Sequence, residues 1–329
     1  QGRIRGASRL ASEAWALIDS LGDPTLTVGL SFPVIYAKAH SGEWCDVLRW
    51  SQRVIDLADG DPSKGDLLIG CPLALAFTTR AMARYCLGRP GWRDGLRHGV
   101  AMARSADPLS YATVIAYLYF PGIPFGVLAA HDPAVREIED ALRIAERSGD
   151  DLAFAVARLT LGVALVHRPT AAERDRGQKL LAEVGEVFVR REYNLADLPI
   201  GEVYVARERA RRGDRDEAIP LIRAAVDHLV RQGRLLLWGI PATGVLVETL
   251  LNRSGDGDVA EAEAAITRLA DAPADDGIAI REIWLLRLRA LLARAHGDEA
   301  SYRDYRDRYR AMATSLGFEG HMKWAEAMP

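Results

Sequence analysis

The sequence predicts an all-α protein, a superhelical solenoid of about seven stacked helical hairpins. Three observations predict it. Signals that end a helix recur about every 38 to 46 residues, a spacing typical of repeated helical hairpins. Between these signals, apolar residues recur at spacings of i, i+3, i+4 and i+7, the period of an amphipathic helix. No stretch alternates polar and apolar residues with the period of two that a half-buried strand requires.

The helix-ending signal is a small residue followed by Gly or Asp, and often then by Pro. Clear instances lie at 20–24, 58–62, 105–108, 148–151, 231–233 and 315–317. Weaker stops near Tyr193 and Pro273 fill the two remaining gaps. Their period matches hairpins of the tetratricopeptide kind rather than propeller blades.

The first 22 residues are expected to be the end of a truncated repeat. They form one amphipathic helix whose apolar stripe consists of Leu10, Ala14, Leu17 and Leu21. A lone helix of this kind lacks the partner that a hairpin supplies. We therefore expect the sequence to begin within a repeat, with further protein upstream.

Residues 23–317 are expected to form the solenoid itself. The second helix of each hairpin carries a clear stripe, as in the series Trp44, Val47, Leu48, Ser51, Val54, Ile55 and Ala58. First helices are more apolar, as expected for a layer packed between neighbouring repeats. Pro72, Pro199 and Pro241 are expected in the first turn of such helices, with a kink as the alternative.

The segment 108–130 has no charged residue and raises the question of a membrane span. Pro121, Gly122 and Pro124 interrupt it, and no basic residues flank it, so we expect no membrane insertion. Core packing in the third hairpin is the first interpretation. The second is a groove for an apolar ligand or peptide, lined by Tyr111, Tyr117, Tyr119, Phe120 and Phe125. Trp238 and Trp284, on apolar helices of the late repeats, are interpreted first as core packing and second as further residues of such a groove, which gives seven candidates.

Residues that would indicate catalysis or metal binding are not arranged in any recognisable pattern. No two of the seven histidines are spaced i, i+3 or i+4, and no phosphate-binding or nucleophile motif occurs. We therefore predict no catalytic residues, no metal site and no cofactor. Four arginines in 207–212 are interpreted as a solvated helix end rather than an anion site.

Charge and cysteine content further limit the classes of partner and compartment. The 329-residue chain carries 42 basic and 45 acidic residues, interspersed, for a net charge of -3. No basic stripe is present to bind phosphates, so direct binding of nucleic acid is not expected. Three cysteines without CxxC spacing and the lack of a secretory signal favour a cytoplasmic protein.

The C-terminal residues have the pattern of a repeat cap followed by an apolar tail. Tyr302, Tyr305, Tyr309, Met312 and Leu316 form the inward stripe of the last repeat helix. In the tail, 318–329, the residues Phe318, Met322 and Trp324 are too apolar for a free segment. We expect the tail to fold back onto the last repeat.

Two late stretches, 239–276 and 301–329, resemble the C-terminal helical-repeat region of large actinobacterial regulators. In that family a class III adenylate or guanylate cyclase domain, or a LuxR-type DNA-binding domain, accompanies an AAA-like ATPase module. The resemblance implies a non-catalytic sensor and protein-interaction scaffold that acts in signal transduction by regulating the upstream domains. Its partners would be domains of the same polypeptide, a partner protein, or a peptide or small ligand.

Two alternatives stay open at this point. The first is a sensor arm of a LuxR-type transcriptional regulator, which differs only in the neighbouring output domain. The second is a stand-alone enzyme built on a helical scaffold. A fold-level likeness is a weak warrant for function, so the residues themselves do not decide between them.

Overall fold

The computed structural model describes residues 4–67, 70–192, 195–274 and 277–328. Over these ranges the chain forms sixteen α-helices and no β-strand. The helices are α1 Ile4–Ser20, α2 Pro24–Ser41, α3 Trp44–Ala58, α4 Pro72–Cys86, α5 Trp92–Ala106, α6 Pro108–Gly122, α7 Asp132–Ser148, α8 Asp151–Val166, α9 Ala171–Arg191, α10 Leu198–Arg211, α11 Arg215–Arg231, α12 Gly239–Arg253, α13 Asp258–Ala270, α14 Ala279–Ala295, α15 Glu299–Leu316 and α16 Glu319–Glu326.

Helices α2 to α15 pair into seven sequential hairpins, and α1 and α16 flank them. Each first helix packs on the first helix of the next hairpin, as α6 does on α8 and α12 on α14. The first helices thus form the inner layer of a superhelix and the second helices the outer layer. The prediction of an all-α solenoid of about seven hairpins is confirmed.

Proline begins several helices and glycine ends one, as the sequence indicates. Pro72 and Pro199 lie in the first turn of α4 and α10, where a missing N–H costs nothing, and Pro241 is the third residue of α12. Pro33, by contrast, lies inside α2. Gly42 ends α2 with φ 76°, a left-handed conformation that suits glycine. The weaker stop near Tyr193 falls on a residue outside the described ranges, directly after α9.

The superhelix closes on itself, because its early hairpins meet its late ones. Helix α14 of the seventh hairpin packs against α4 of the second, although the two are far apart in sequence. The turn at Gly42 touches the segment before α12, so closely that a Cβ there would lie 2.5 Å from Leu236 Cβ. The inner layer is therefore a closed ring of helices around a filled centre.

The uncharged segment 108–130 supplies much of that centre. Its first part is α6, and the chain then turns through Ile123, Phe125 and Val127, all buried. In the described part of the chain, no helix is both long enough and apolar enough to cross a membrane.

The two flanking helices pack differently. Helix α1 presents Leu10 and Leu17 to solvent, and so does Leu21 just after it. The helix is attached through Trp15, which stacks on Trp50 at 4.7 Å, and through Ser8, which accepts from Lys38 at 2.9 Å. Burial of one ring pair and Ala11 is a small anchor for a helix of this length.

Helix α16 is held more firmly. Phe318 is fully buried, and Tyr309 of the last hairpin hydrogen-bonds to His321 at 2.9 Å. The main-chain N–H of His321 donates to the Gly126 carbonyl at 2.9 Å, so the tail contacts the loop after α6 as well as the last hairpin. Met322, in contrast, faces solvent.

Candidate ligand site on the inner face

Three of the seven aromatic groove candidates form a closed cluster at the centre of the ring. Phe120 and Phe125 pack on Trp238 with ring centroids 4.6 and 5.9 Å apart. Each has at most 1% of its surface exposed. This central aromatic cluster joins α6 and its following loop to the start of α12, and it leaves no ring face for a ligand.

The three tyrosine candidates lie beside the cluster and have protein partners. The hydroxyls of Tyr111 and Tyr119 donate to the two carboxylate oxygens of Glu137, at 3.0 and 2.8 Å. Tyr117 packs edge-on against Phe32 and Tyr36 of α2. These contacts attach α6 to its neighbours on both sides.

A buried polar group borders the central aromatic cluster. The Asp197 carboxylate accepts from Trp238 Nε1 at 2.7 Å and lies 3.6 Å from His40 Nε2. Burial raises the pKa of Asp197 to about 6, although Arg234 and Trp238 oppose the shift. Burial and the adjacent Arg234 lower the pKa of His40, so this imidazole is neutral. The group links α2 to the second half of the ring.

Trp284, the seventh candidate, reaches an open cavity elsewhere on the inner face. Its indole N–H donates to the Phe125 carbonyl at 3.2 Å, which fixes the ring at the edge of the central aromatic cluster. Of the seven candidates, Trp284 is the one whose side chain lines this cavity.

That cavity has a volume of about 520 Å³ and lies where the C-terminal ends of the inner helices α8 and α10 face α12, α14 and α16. We call it the arginine pocket. Its lining consists of His167, Arg168, Pro169, Arg174, Tyr204, Arg207, Arg211, Val245, Glu248, Trp284, Arg287 and Trp324.

One wall of the arginine pocket places three guanidiniums around one carboxylate. Glu208, whose side chain is 3% exposed, lies 3.3 Å from Arg174 Nε, 3.2 Å from Arg207 Nε and 2.8 Å from Arg211 Nη1. This group therefore carries two more positive than negative charges. Burial and the charge of Arg207 accordingly lower the pKa of Arg211.

The same arginines also cap a helix. Arg207 Nη2 donates to the Val166 carbonyl at 2.6 Å, and Arg211 Nη1 approaches the same oxygen at 3.5 Å. A helix C-terminus attracts cations, so this contact helps to hold the two side chains in the pocket. Arg211 keeps 47% of its side chain exposed, which leaves part of its guanidinium accessible.

The opposite wall combines an ion pair with two indoles. Arg287 hydrogen-bonds to Glu248, and its guanidinium lies 5.7 Å from the Trp284 ring and 5.1 Å from the Trp324 ring. Its Nε is buried and has no hydrogen-bond partner. Burial lowers the pKa of the Arg287 guanidinium, but the negative charge and hydrogen bond of Glu248 raise it by more, so the net shift is upward. Helix α16 closes this side through Trp324.

His167 contributes a hydrogen-bond acceptor to the pocket. Its Nδ1 is 2.7 Å from the Val163 carbonyl, which can only accept, so Nδ1 carries the proton. Burial and the charges of Arg207 and Arg211 lower the pKa of His167 well below its usual value. The imidazole is therefore neutral, with the lone pair on Nε2.

Interpreting the arginines of 207–212 as a solvated helix end is correct for only part of the cluster. Arg209 and Arg212 lie on the exposed side of the helix end, whereas Arg207 and Arg211 turn into the concave pocket. A spacing of i, i+4 places Arg207 and Arg211 on one face, and Tyr204 at i−3 shares it. The sequence carried this signal, but Glu248, Arg287 and Trp324 come from distant hairpins and could not be assigned to the same site.

Metal-binding geometry does not occur in the part of the chain that the structure describes: no group of three or more His, Cys, Asp or Glu side chains is placed to hold an ion. Cys71 and Cys86 are buried free thiols, and Cys45 is exposed.

A second concavity, of about 960 Å³, lies between α9, α10 and α11. Its lining is mainly apolar and includes Leu181, Val184, Phe188 and Leu221.

Comparison with known proteins shows the fold. No protein-family model matches the chain, and no curated protein matches its sequence. A crystal structure of a Rap protein complexed with competence and sporulation factor is similar in fold, with a TM-score of 0.59. The two chains are 14% identical, and the match covers 91% of this chain and 80% of the Rap chain. At that identity the likeness shows a shared tetratricopeptide-like solenoid and does not transfer a function.

Proposed function

We propose that the chain is a non-catalytic recognition scaffold that binds a partner or ligand in the arginine pocket. The observation that supports this most is the origin of the pocket residues. They come from the turn between α8 and α9, from α9 itself, from the inner helices α10, α12 and α14, and from α16. An occupant would contact four successive hairpins and the tail at once.

Such an occupant would act on the shape of the whole ring. A ligand shifts a conformational equilibrium only as far as it binds one arrangement better than the other. A site shared by four hairpins is sensitive to their relative positions, because its distances change whenever neighbouring hairpins move. The arginine pocket is thus suited to convert binding into a change in the curvature of the solenoid.

The larger context of this proposal comes from the family resemblance. We propose that the scaffold is cytoplasmic and regulates an upstream nucleotide cyclase or an AAA-like ATPase module, with a LuxR-type output domain as the alternative. The similar fold of a Rap protein solved in complex with a factor supports a role in binding, since the same kind of solenoid accommodates a partner there. Nucleic acid and membranes are not proposed as partners.

The test begins with the reading frame that encodes the chain. A P-loop or a cyclase motif encoded in the same frame would identify the domain that this chain regulates. That protein is then prepared with and without residues 1–329, and its nucleotide turnover is measured. A change in turnover is expected; equal turnover in both forms would refute the regulatory role.

The stand-alone enzyme remains the competing function, and it has its own test. Purified residues 1–329 are expected neither to hydrolyse nor to cyclise nucleoside triphosphates, because the sequence lacks a phosphate-binding loop. Turnover that persists through rigorous purification would contradict the non-catalytic proposal.

A further inference from the structure

We infer that the arginine pocket recognises an acidic peptide segment, whose carboxylate is bound by Arg207 and Arg211 and whose N–H groups donate to Glu248 and His167. This inference rests on the proposed function, since it names the chemistry of the occupant. Three properties of the pocket support it.

The first property is the positive charge around Glu208. Three guanidiniums share one buried carboxylate, so the positive charge of this group is not balanced within the group. Arg168 differs, because it is already paired with both Asp132 and Glu173. Arg211 is the most exposed member of the Glu208 group and is the natural first contact for an incoming carboxylate.

The second property is the presence of acceptors beside these donors. Glu248 interacts electrostatically with Arg207 and Arg211, and its side chain is partly exposed. His167 adds the Nε2 lone pair. A ligand that brings only anionic oxygens would face Glu248 with like charge, whereas a peptide brings amide N–H donors together with its carboxylates. The combination favours a peptide over inorganic phosphate.

The third property is the aromatic wall. Trp284 and Trp324 line the cavity opposite Glu208, and Tyr204 lies at its base. A pocket of about 520 Å³ falls within the range of small-ligand sites and has room for a short peptide segment. Apolar atoms of such a segment would pack on the indoles while its carboxylate reaches the arginines.

The experiment measures binding of defined probes to the full chain by isothermal titration calorimetry. The probes are hexaglutamate, hexalysine, inorganic phosphate and ATP, at low and at moderate salt. Hexaglutamate is expected to bind, with an affinity that falls as salt rises, because the pocket is partly open to solvent. Hexalysine, phosphate and ATP are expected to bind at least tenfold more weakly.

A matched pair of variants locates the binding. Arg211→Gln removes one pocket guanidinium, and Arg209→Gln removes a guanidinium two residues away on the same helix, outside the arginine pocket and at the apolar concavity between α9, α10 and α11. We expect Arg211→Gln to weaken hexaglutamate binding about tenfold, the loss of one charge-assisted hydrogen bond. Arg209→Gln is expected to leave it unchanged.

Arg211→Lys keeps the charge but loses the planar fork, and its affinity should lie between those of the wild type and Arg211→Gln. It also serves as the test variant if Arg211→Gln does not fold. The far-UV circular dichroism of each variant is compared with the wild type before titration.

Several outcomes would overturn the inference. Equal losses for the Arg211 and Arg209 variants would show general charge attraction rather than a site. Binding of phosphate or ATP as tight as that of hexaglutamate would show an anion site without peptide character. No binding of hexaglutamate would refute the inference while leaving the regulatory proposal to its own test, since turnover of the upstream domain does not depend on this probe.

Discussion

The central aromatic cluster and the arginine pocket occupy the same inner face of the ring, yet one is filled and the other is open. At the cluster, Phe120, Phe125 and Trp238 converge from two halves of the chain and exclude solvent. At the arginine pocket, the converging side chains are guanidiniums that repel one another and need polar partners. On the inner face, therefore, aromatic rings fill the space where they meet, whereas mutually repelling guanidiniums leave a pocket open between them.

Removal of the tail is expected to lower the stability of the fold the most, since it takes away a wall of the arginine pocket together with part of the core. Deletion of residues 317–329 removes the buried Phe318 and the half-buried Trp324. Each large side chain contributes about 1.5 to 3 kcal/mol, so stability should fall by about 3 to 6 kcal/mol. Thermal melting and binding of a hydrophobic dye measure it; an unchanged melting temperature would exclude the tail from the fold.

Replacement of Trp238 tests the filled region alone. Trp238→Ala leaves a cavity between Phe120 and Phe125 and removes the partner of Asp197, for an expected loss of about 3 to 5 kcal/mol. Urea denaturation checks this value. Trp324→Ala is the control from the open pocket and should cost less, because that ring is only partly buried.

The pH dependence of stability tests the buried titratable groups in both regions. His40, His167 and His321 are neutral in the fold because burial lowers the pKa of each. Below about pH 6.5 the unfolded chain takes up protons that the folded chain does not, so these histidines destabilise the fold as the pH falls.

Asp197 acts in the opposite direction. With a pKa of about 6, above its ordinary 3.8, it binds a proton in the fold before it does in the unfolded chain. The three buried histidines outnumber Asp197, so the free energy of unfolding is expected to fall as the pH drops below about 6.5. His167→Gln should make that fall shallower in urea melts between pH 7.5 and 5. A flat profile would show that these imidazoles titrate normally in the fold.

The smallest expected effect on stability belongs to Arg211. Because this side chain is half-exposed and shares Glu208 with two other arginines, Arg211→Gln should change the free energy of unfolding by at most about 1 kcal/mol. Urea denaturation measures it. A loss of several kcal/mol would make Arg211 a structural residue of α10, and the pocket would then lose its most accessible donor.

Much of the helical order could be predicted from the sequence because its signals are local. Pro72 and Gly42 act through backbone geometry within one turn, and the stripe from Trp44 to Ala58 reports burial by its period alone. The residues of the site were harder to predict from the sequence. Of the seven aromatic candidates only Trp284 lines the arginine pocket, since period and apolarity do not distinguish a ring in a core from a ring at an open wall.

The sequence by itself determined the solenoid, the hairpin count and the polarity of each helix face, because these depend on residues within four or five positions of one another. Only the tertiary structure decided that the ring closes, that Arg207 and Arg211 turn inward while Arg209 does not, and that Glu248, Arg287 and Trp324 meet them. The physical reason is that each hairpin is rotated by a small angle relative to the one before it. These rotations accumulate along the chain and bring together residues that are more than a hundred positions apart.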